Sequence, residues 1–323
     1  MSVESDLRKD GIKVVDILDT MTVNRIAHNI ATKLCETFPE LCFNESDLFA
    51  KLARLTMYRA EMPEGMAEAN YFYKNTSIYF NERVAIEDLE EFAIHECIHY
   101  IQEIKDKRNN LIRMGLCNFD TLKITGMGLN EAAVQYLTSK VIGIQKEAVK
   151  YFGISFETIS PSYYPLECNL IEQLTYFTGD EILFDSTFTS NDKFKNYFIQ
   201  LTSSKTFTEI ELCCDQILEL EEEILRLNNK FYSYDERCNK VDKIVAKQDT
   251  LKKKITDTYL KAQDSLIKGY FDKAFKNISN LEELDNYRKK LDHYGNLIGR
   301  TDDYTFFDDY YTEKMSQLEH KSN

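Results

Sequence analysis

Two histidines four residues apart enclose a glutamate in the run His95-Glu96-Cys97-Ile98-His99. Imidazole nitrogens are good ligands for a transition metal, and residues four apart on a helix sit one turn above each other, so both rings can reach one ion. Glu96 is rotated to a neighbouring position, from which its carboxylate can act as a base on a water beside the metal. Cys97 lies about 200° around the helix from His95 and is expected to face the core instead. A catalytic zinc site takes three protein ligands and keeps one position open. Glu131, in Gly128-Leu129-Asn130-Glu131-Ala132-Ala133, can supply the third as an oxygen donor. The competing explanation is a pair of histidines packed between helices, with the pentapeptide a coincidence.

These side chains reach one point only if the chain holds them on rigid elements. Glu87, Asp88, Glu90 and Glu91 precede the motif, where the positive end of a helix dipole favours acidic residues, and a helix is expected over about 85–105. Before it, Leu-Thr-Met-Tyr-Arg and Tyr-Phe-Tyr-Lys-Asn-Thr-Ser-Ile-Tyr-Phe are rich in β-branched and aromatic residues around Pro63-Glu64-Gly65, which reads as a small sheet over 55–80. Further helices are expected over 129–141, after Gly126 and Gly128, and over 165–178, opening at Pro165. Residues up to 43 read as two helices, from Val14, Ile17 and Leu18 and then Ile26, Ile30 and Leu34 at helical spacing.

This arrangement, His95-Glu96-Cys97-Ile98-His99 with a following Asn130-Glu131, resembles the gluzincin zinc metallopeptidases over residues 55–140. The resemblance implies a zincin-like core of small sheet, active-site helix and glutamate helix. It also implies zinc held by His95, His99 and Glu131, Glu96 as general base, and a peptide or protein substrate. Many thermolysin-like members carry Asp four residues after the glutamate ligand, holding the free nitrogen of the first histidine. This chain has Gln135 there, whose amide oxygen can accept the same bond but raises ligand basicity less than a carboxylate. The separation between the histidine helix and Glu131 is also longer than in those enzymes, leaving a loop over 105–125. A metzincin would need a third histidine soon after His99, and Tyr-Ile-Gln-Glu-Ile-Lys has none. Gluzincins commonly add a histidine or tyrosine that donates to the developing oxyanion. Tyr164, in Tyr163-Tyr164-Pro165, is the preferred candidate and His293 the histidine to watch, while His28 and His320 are read as ordinary.

Beyond 203 the texture changes. Ile210, Cys213, Ile217, Leu220, Ile224, Leu227 and Phe231 recur in steps of three and four among charged residues, a coiled-coil-like seam. The expected division is a catalytic domain over 1–203 and a helical domain over 204–323. Intramolecular packing is the first reading of the seam; folding over the cleft, a protein partner and self-association are its other uses. The acidic and aromatic cluster at Tyr304 to Tyr311 is a candidate contact surface.

With 11 glycines and 4 prolines in 323 residues, and 43% hydrophobic side chains, the chain reads as α+β, predominantly helical, with enough apolar material for a sizeable core. A formal charge of −14 speaks against nucleic acid as a partner. No window is long and apolar enough for a membrane span, and the first residues show no basic stretch leading into an apolar run. The 8 cysteines show no CxxC pair or dense disulfide pattern and are expected to be reduced and mostly buried. Cytoplasmic location follows as the expectation, with export by a route lacking a cleaved signal as the alternative. The function expected is zinc-dependent peptide hydrolysis. Its alternatives are a catalytically inactive metal-binding protein and a helical interaction module.

Overall fold

The computed structural model describes residues 3–9, 11–120, 123–232, 241–298 and 306–322. It is an α+β protein in which helices predominate. After α1 (Val3–Lys9), β1 (Lys13–Ile17) lies antiparallel to β2 (Thr56–Glu61), which runs parallel to β4 (Ser77–Asn81). The sheet is completed by β3 (Ala69–Phe72), antiparallel to β4 on the outer edge, in the order β1-β2-β4-β3. Between β1 and β2 come α2 (Thr20–Thr37) and α3 (Glu45–Leu52), joined through a short 3-10 turn at Pro39–Leu41.

Residues 14–18 therefore do not extend the first helices. The β-branched run Lys-Val-Val-Asp-Ile pairs with β2, and α2 starts only where Asp19 accepts from the backbone N–H groups of Met21 and Thr22. Val14, Ile17 and Leu18 satisfy helical spacing, but strand pairing along β2 decides the conformation.

Helix α4 (Leu89–Gln102) carries the histidine motif and packs against β3, β4, α2 and α3. It is shorter than expected because Glu103 leaves helical geometry and opens a second antiparallel sheet. That sheet consists of β5 (Glu103–Lys105), β6 (Leu111–Met114), β7 (Cys117–Phe119) and β8 (Ile124–Thr125), in sequential order. It occupies most of the stretch read from sequence only as a loop. Next come α5 (Met127–Ile142), the hairpin β9 (Glu147–Tyr151) and β10 (Ile154–Thr158), and α6 (Pro165–Thr178). Pro165 at the first turn opens α6 where its sequence signal puts it, and Gly179 ends the helix. Two short helices, α7 (Asp180–Thr189) and α8 (Lys193–Leu201), lead to the long pair α9 (Ser204–Tyr232) and α10 (Val241–Lys276). The chain ends with α11 (Leu281–Ile298) and α12 (Phe306–Ser322).

Helices α9 and α10 are antiparallel, with Lys261 paired to Glu209 at one end and Lys247 to Glu223 at the other. Along α9, Ile210, Cys213, Ile217, Ile224 and Leu227 are buried and Leu220 is partly so, against α10 and α5. The seam thus packs within the chain. One cluster of buried apolar side chains runs from Val23 of α2 through α4, α5 and α6 to Leu318 of α12. Cys238, residues 304–305 of the acidic and aromatic cluster, and the side chains of Phe231 and of residues 306–310 lie outside what the structure describes. None of the seven described cysteines is in a disulfide, and Cys97, Cys117, Cys168, Cys213 and Cys214 are buried. No described helix is long and apolar enough to cross a membrane.

Candidate metal centre

Helix α4 presents His95 and His99 on one face, and α5 crosses it so that Glu131 comes from the opposite side. The two Nε2 atoms are 3.0 Å apart, and oxygens of Glu131 lie 3.2 Å from that of His95 and 3.3 Å from that of His99. Ligands bonded at about 2.05 Å in a tetrahedron stand about 3.3 Å from each other, so these separations match a site that needs only the ion. His99 is buried and the other two are partly buried. Among the described residues this is the one group of three or more His, Cys, Asp or Glu side chains able to hold a metal.

The protons point the same way. Nδ1 of His95 faces Oε1 of Gln135 at 3.0 Å, and the amide nitrogen of Gln135 is turned to Ser139 Oγ at 3.5 Å. An amide oxygen accepts only, so Nδ1 carries the hydrogen and the Nε2 of neutral His95 keeps its lone pair for a cation. Nδ1 of His99 is buried without a hydrogen-bond partner among the described residues. Burial disfavours a charged His99, yet the Glu131 carboxylate outweighs it and pushes the imidazole up to about 9. Burial likewise works against the Glu131 charge, but the charge of His99 and the bond from its ring hold the carboxyl well below the usual range. Two imidazoles and a carboxylate this close call for a positive charge among them, and a divalent ion supplies more of it than one proton does. Donors of this kind suit zinc, and equally iron, nickel or copper.

Several contacts unforeseen from the motif hold the two helices in register. The carboxamides of Gln102, last residue of α4, and Asn130 bond reciprocally at 3.4 and 3.3 Å, and Asn130 Oδ1 also accepts from Leu116 N at 2.9 Å. The start of α5 is capped from far along the chain, where Asp215 of α9 accepts from Gly126 N at 3.0 Å and Gly128 N at 2.8 Å. Gly128 lets the two helices meet, since a Cβ there would sit 2.3 Å from the Cys214 carbonyl oxygen. Nothing near either motif announces Asp215 or Cys214, because the partners are almost ninety residues away.

Glu96 is buried, and its Oε2 accepts the backbone N–H of Tyr71, on the edge strand β3, at 2.7 Å. Beside it lies a cavity of about 170 Å³ lined by His95, Glu96, Gln135, Tyr163 and Tyr164 among others. Cys97 points into the core, as its place on the helix requires. Tyr164, with left-handed backbone just ahead of Pro165, lays its ring over His95 at 6.2 Å and 28°. Burial first, and then the carboxylates of Glu131 and Glu96, drive its hydroxyl well above the ordinary tyrosine range, so it stays protonated and able to donate. His293 is elsewhere, exposed on α11 and stacked on Tyr176 at 5.8 Å, because α11 packs beside α6 and not at the cleft. His28 is exposed with its ring edge toward Phe49, and His320 is exposed.

Comparison with protein-family models, with curated proteins and with solved structures gave no match.

Proposed function

We propose that this chain is a zinc-dependent peptidase whose core is zincin-like, with the gluzincin order of ligands. The observation that supports this most is the position of Glu96. It is a buried carboxylate facing a cavity, on the same helical turn as two histidines that meet the carboxylate of Glu131. A metal store needs the three ligands but has no use for a fourth acid directed into an adjoining space.

Zinc, when bound, would supply a Lewis acid that polarises a peptide carbonyl and lowers the pKa of water to about 7. His95, His99 and Glu131 hold it, and Gln135 fixes the His95 ring with Nδ1 protonated. Glu96 takes the proton of the attacking water on Oε1, since Oε2 is held by the Tyr71 N–H, and passes it to the departing amine nitrogen. Tyr164 donates from its hydroxyl to the carbonyl oxygen as that oxygen gains charge.

Incubating the full chain with a mixed peptide library and reading new termini by mass spectrometry tests the proposal. Wild type should cleave, lose activity to a zinc chelator and regain it with added zinc. Glu96→Gln should bind zinc yet cleave at least about a hundredfold more slowly. Cleavage by Glu96→Gln at the wild-type rate would remove Glu96 from its role, and a zinc-loaded wild type that cleaves nothing would remove the peptidase.

A further inference from the structure

A second cavity, about 660 Å³, adjoins the one at Glu96, and Tyr163 and Tyr164 line both. Its other walls include Tyr151, Phe152, Leu225, Glu221 and Lys252, whose ammonium pairs with Asp249 at 3.5 Å. Glu221 accepts a hydrogen bond from the Tyr151 hydroxyl, but its Oε1 is buried with no partner among the described residues. Near it is Glu167, on the first turn of α6, fully buried and with neither oxygen bonded among the described residues. Buried carboxylates are normally paired, and three oxygens without donors, two on Glu167 and one on Glu221, suit a cation to complete them. Burial, followed by repulsion from Glu221, pushes Glu167 well above the usual carboxylate range, and burial takes Glu221 up to about 7. Glu68, on the shared wall, differs in that Tyr163 donates to it at 2.5 Å.

We propose that this second cavity is a specificity pocket for a cationic side chain, lysine or arginine, of the peptide substrate, with Glu221 as the anion that meets it and Glu167 behind. A bare metal ion would need no such room and no aromatic walls. A long aliphatic stem ending in an ammonium or guanidinium uses both, lying along Tyr151, Phe152 and Tyr164 with its charge at Glu221. The chain's net charge of −14 draws the same class of ligand toward it. As a statement about substrate, the inference rests on the peptidase reading; as a binding site, it stands apart from it.

The test uses the full chain carrying Glu96→Gln, so that peptides survive, and titration calorimetry with blocked alanine tetrapeptides. Each carries one arginine, moved through the positions in turn, or its uncharged isostere citrulline. At one position arginine should bind roughly thirtyfold or more tighter than citrulline, the loss expected when one member of a buried charged pair is removed. Adding Glu221→Gln should bring that ratio close to one and leave citrulline binding as it was. Equal affinity for both peptides at every position, or a ratio that survives Glu221→Gln, overturns the pocket. The arginine and citrulline comparison needs no pocket variant, so poor folding of Glu221→Gln does not protect the proposal. Discrimination without cleavage by the wild type would leave the pocket standing and sink the peptidase; cleavage without discrimination would do the reverse.

Discussion

Replacing Gly128 by alanine should destabilise the protein and weaken metal binding together. Helix propensity alone predicts the opposite sign, because alanine is better than glycine inside a helix by about 1 kcal/mol. At position 128 the added Cβ would lie 2.3 Å from the Cys214 carbonyl oxygen, 2.4 Å from its carbon and 2.8 Å from the Asp215 nitrogen. All three are backbone of α9, which the α10 and α5 contacts hold in place, so α5 must back away by about 1 Å to restore ordinary contact. Overpacking of this kind costs about 1–3 kcal/mol. The movement also pulls Gly126 and Gly128 from the Asp215 cap and shifts Glu131, one helical turn on. Disturbing the support of a metal ligand typically costs about 10–100-fold in affinity. Thermal unfolding of apo protein and competition for zinc against a chelator measure the two effects. The melting temperature should fall by about 1.5 °C per kcal/mol lost. A variant that melts at or above wild type and binds zinc equally well would refute the argument that this glycine fixes the distance between the helices.

Gln135→Leu removes the acceptor for His95 Nδ1, and zinc affinity should drop about 10–100-fold while the helical circular-dichroism spectrum is kept. In steady-state peptide cleavage, Tyr164→Phe should lower kcat by about 10²-fold or more with KM little changed, as expected for a donor used only in the transition state. Stability should also carry a pH slope from Glu167 and Glu221, which the folded chain keeps protonated above their ordinary 4.5. The folded form then binds more protons than the unfolded one, so the pair favours folding most at low pH and loses that advantage as pH rises through about 7. Tyr151, Tyr164, Cys168 and Cys214, which feel the pair, are held uncharged by burial, and Lys252 lines the cavity near Glu221. Chemical denaturation between pH 4.5 and 7.5 should show a flatter profile for Glu221→Gln than for wild type.

The candidate centre was readable from sequence to the extent that it depends on local geometry. Spacing of four on one helix brings His95 and His99 together, and a carboxylate on the second turn of a following helix can join them if the helices cross. Pro165 marked the start of α6 because proline acts through its own backbone. Val14, Ile17 and Leu18 misled because the same residues suit a helix face and a strand, and only pairing with β2 chooses. The second sheet over 103–125 escaped because its strands are two to four residues long and carry little periodicity of their own. Contacts between distant segments were out of reach for a different reason. Asp215 on the start of α5 and the meeting of Glu167 with Glu221 are made by tertiary packing, and no local pattern encodes either. His293 drew notice by residue type alone, which says nothing about where α11 packs.

On the reading proposed above, His95, His99 and Glu131 bind one ion together. Metal content of the purified full chain by mass spectrometry, with X-ray absorption at the zinc edge, tests it most directly. Wild type should hold one zinc per chain, with nitrogen and oxygen neighbours at about 2.0–2.1 Å, lost in Glu131→Ala and kept in Glu96→Gln. A wild type without stoichiometric metal, or a Glu131→Ala chain that holds zinc as tightly as wild type, would contradict it.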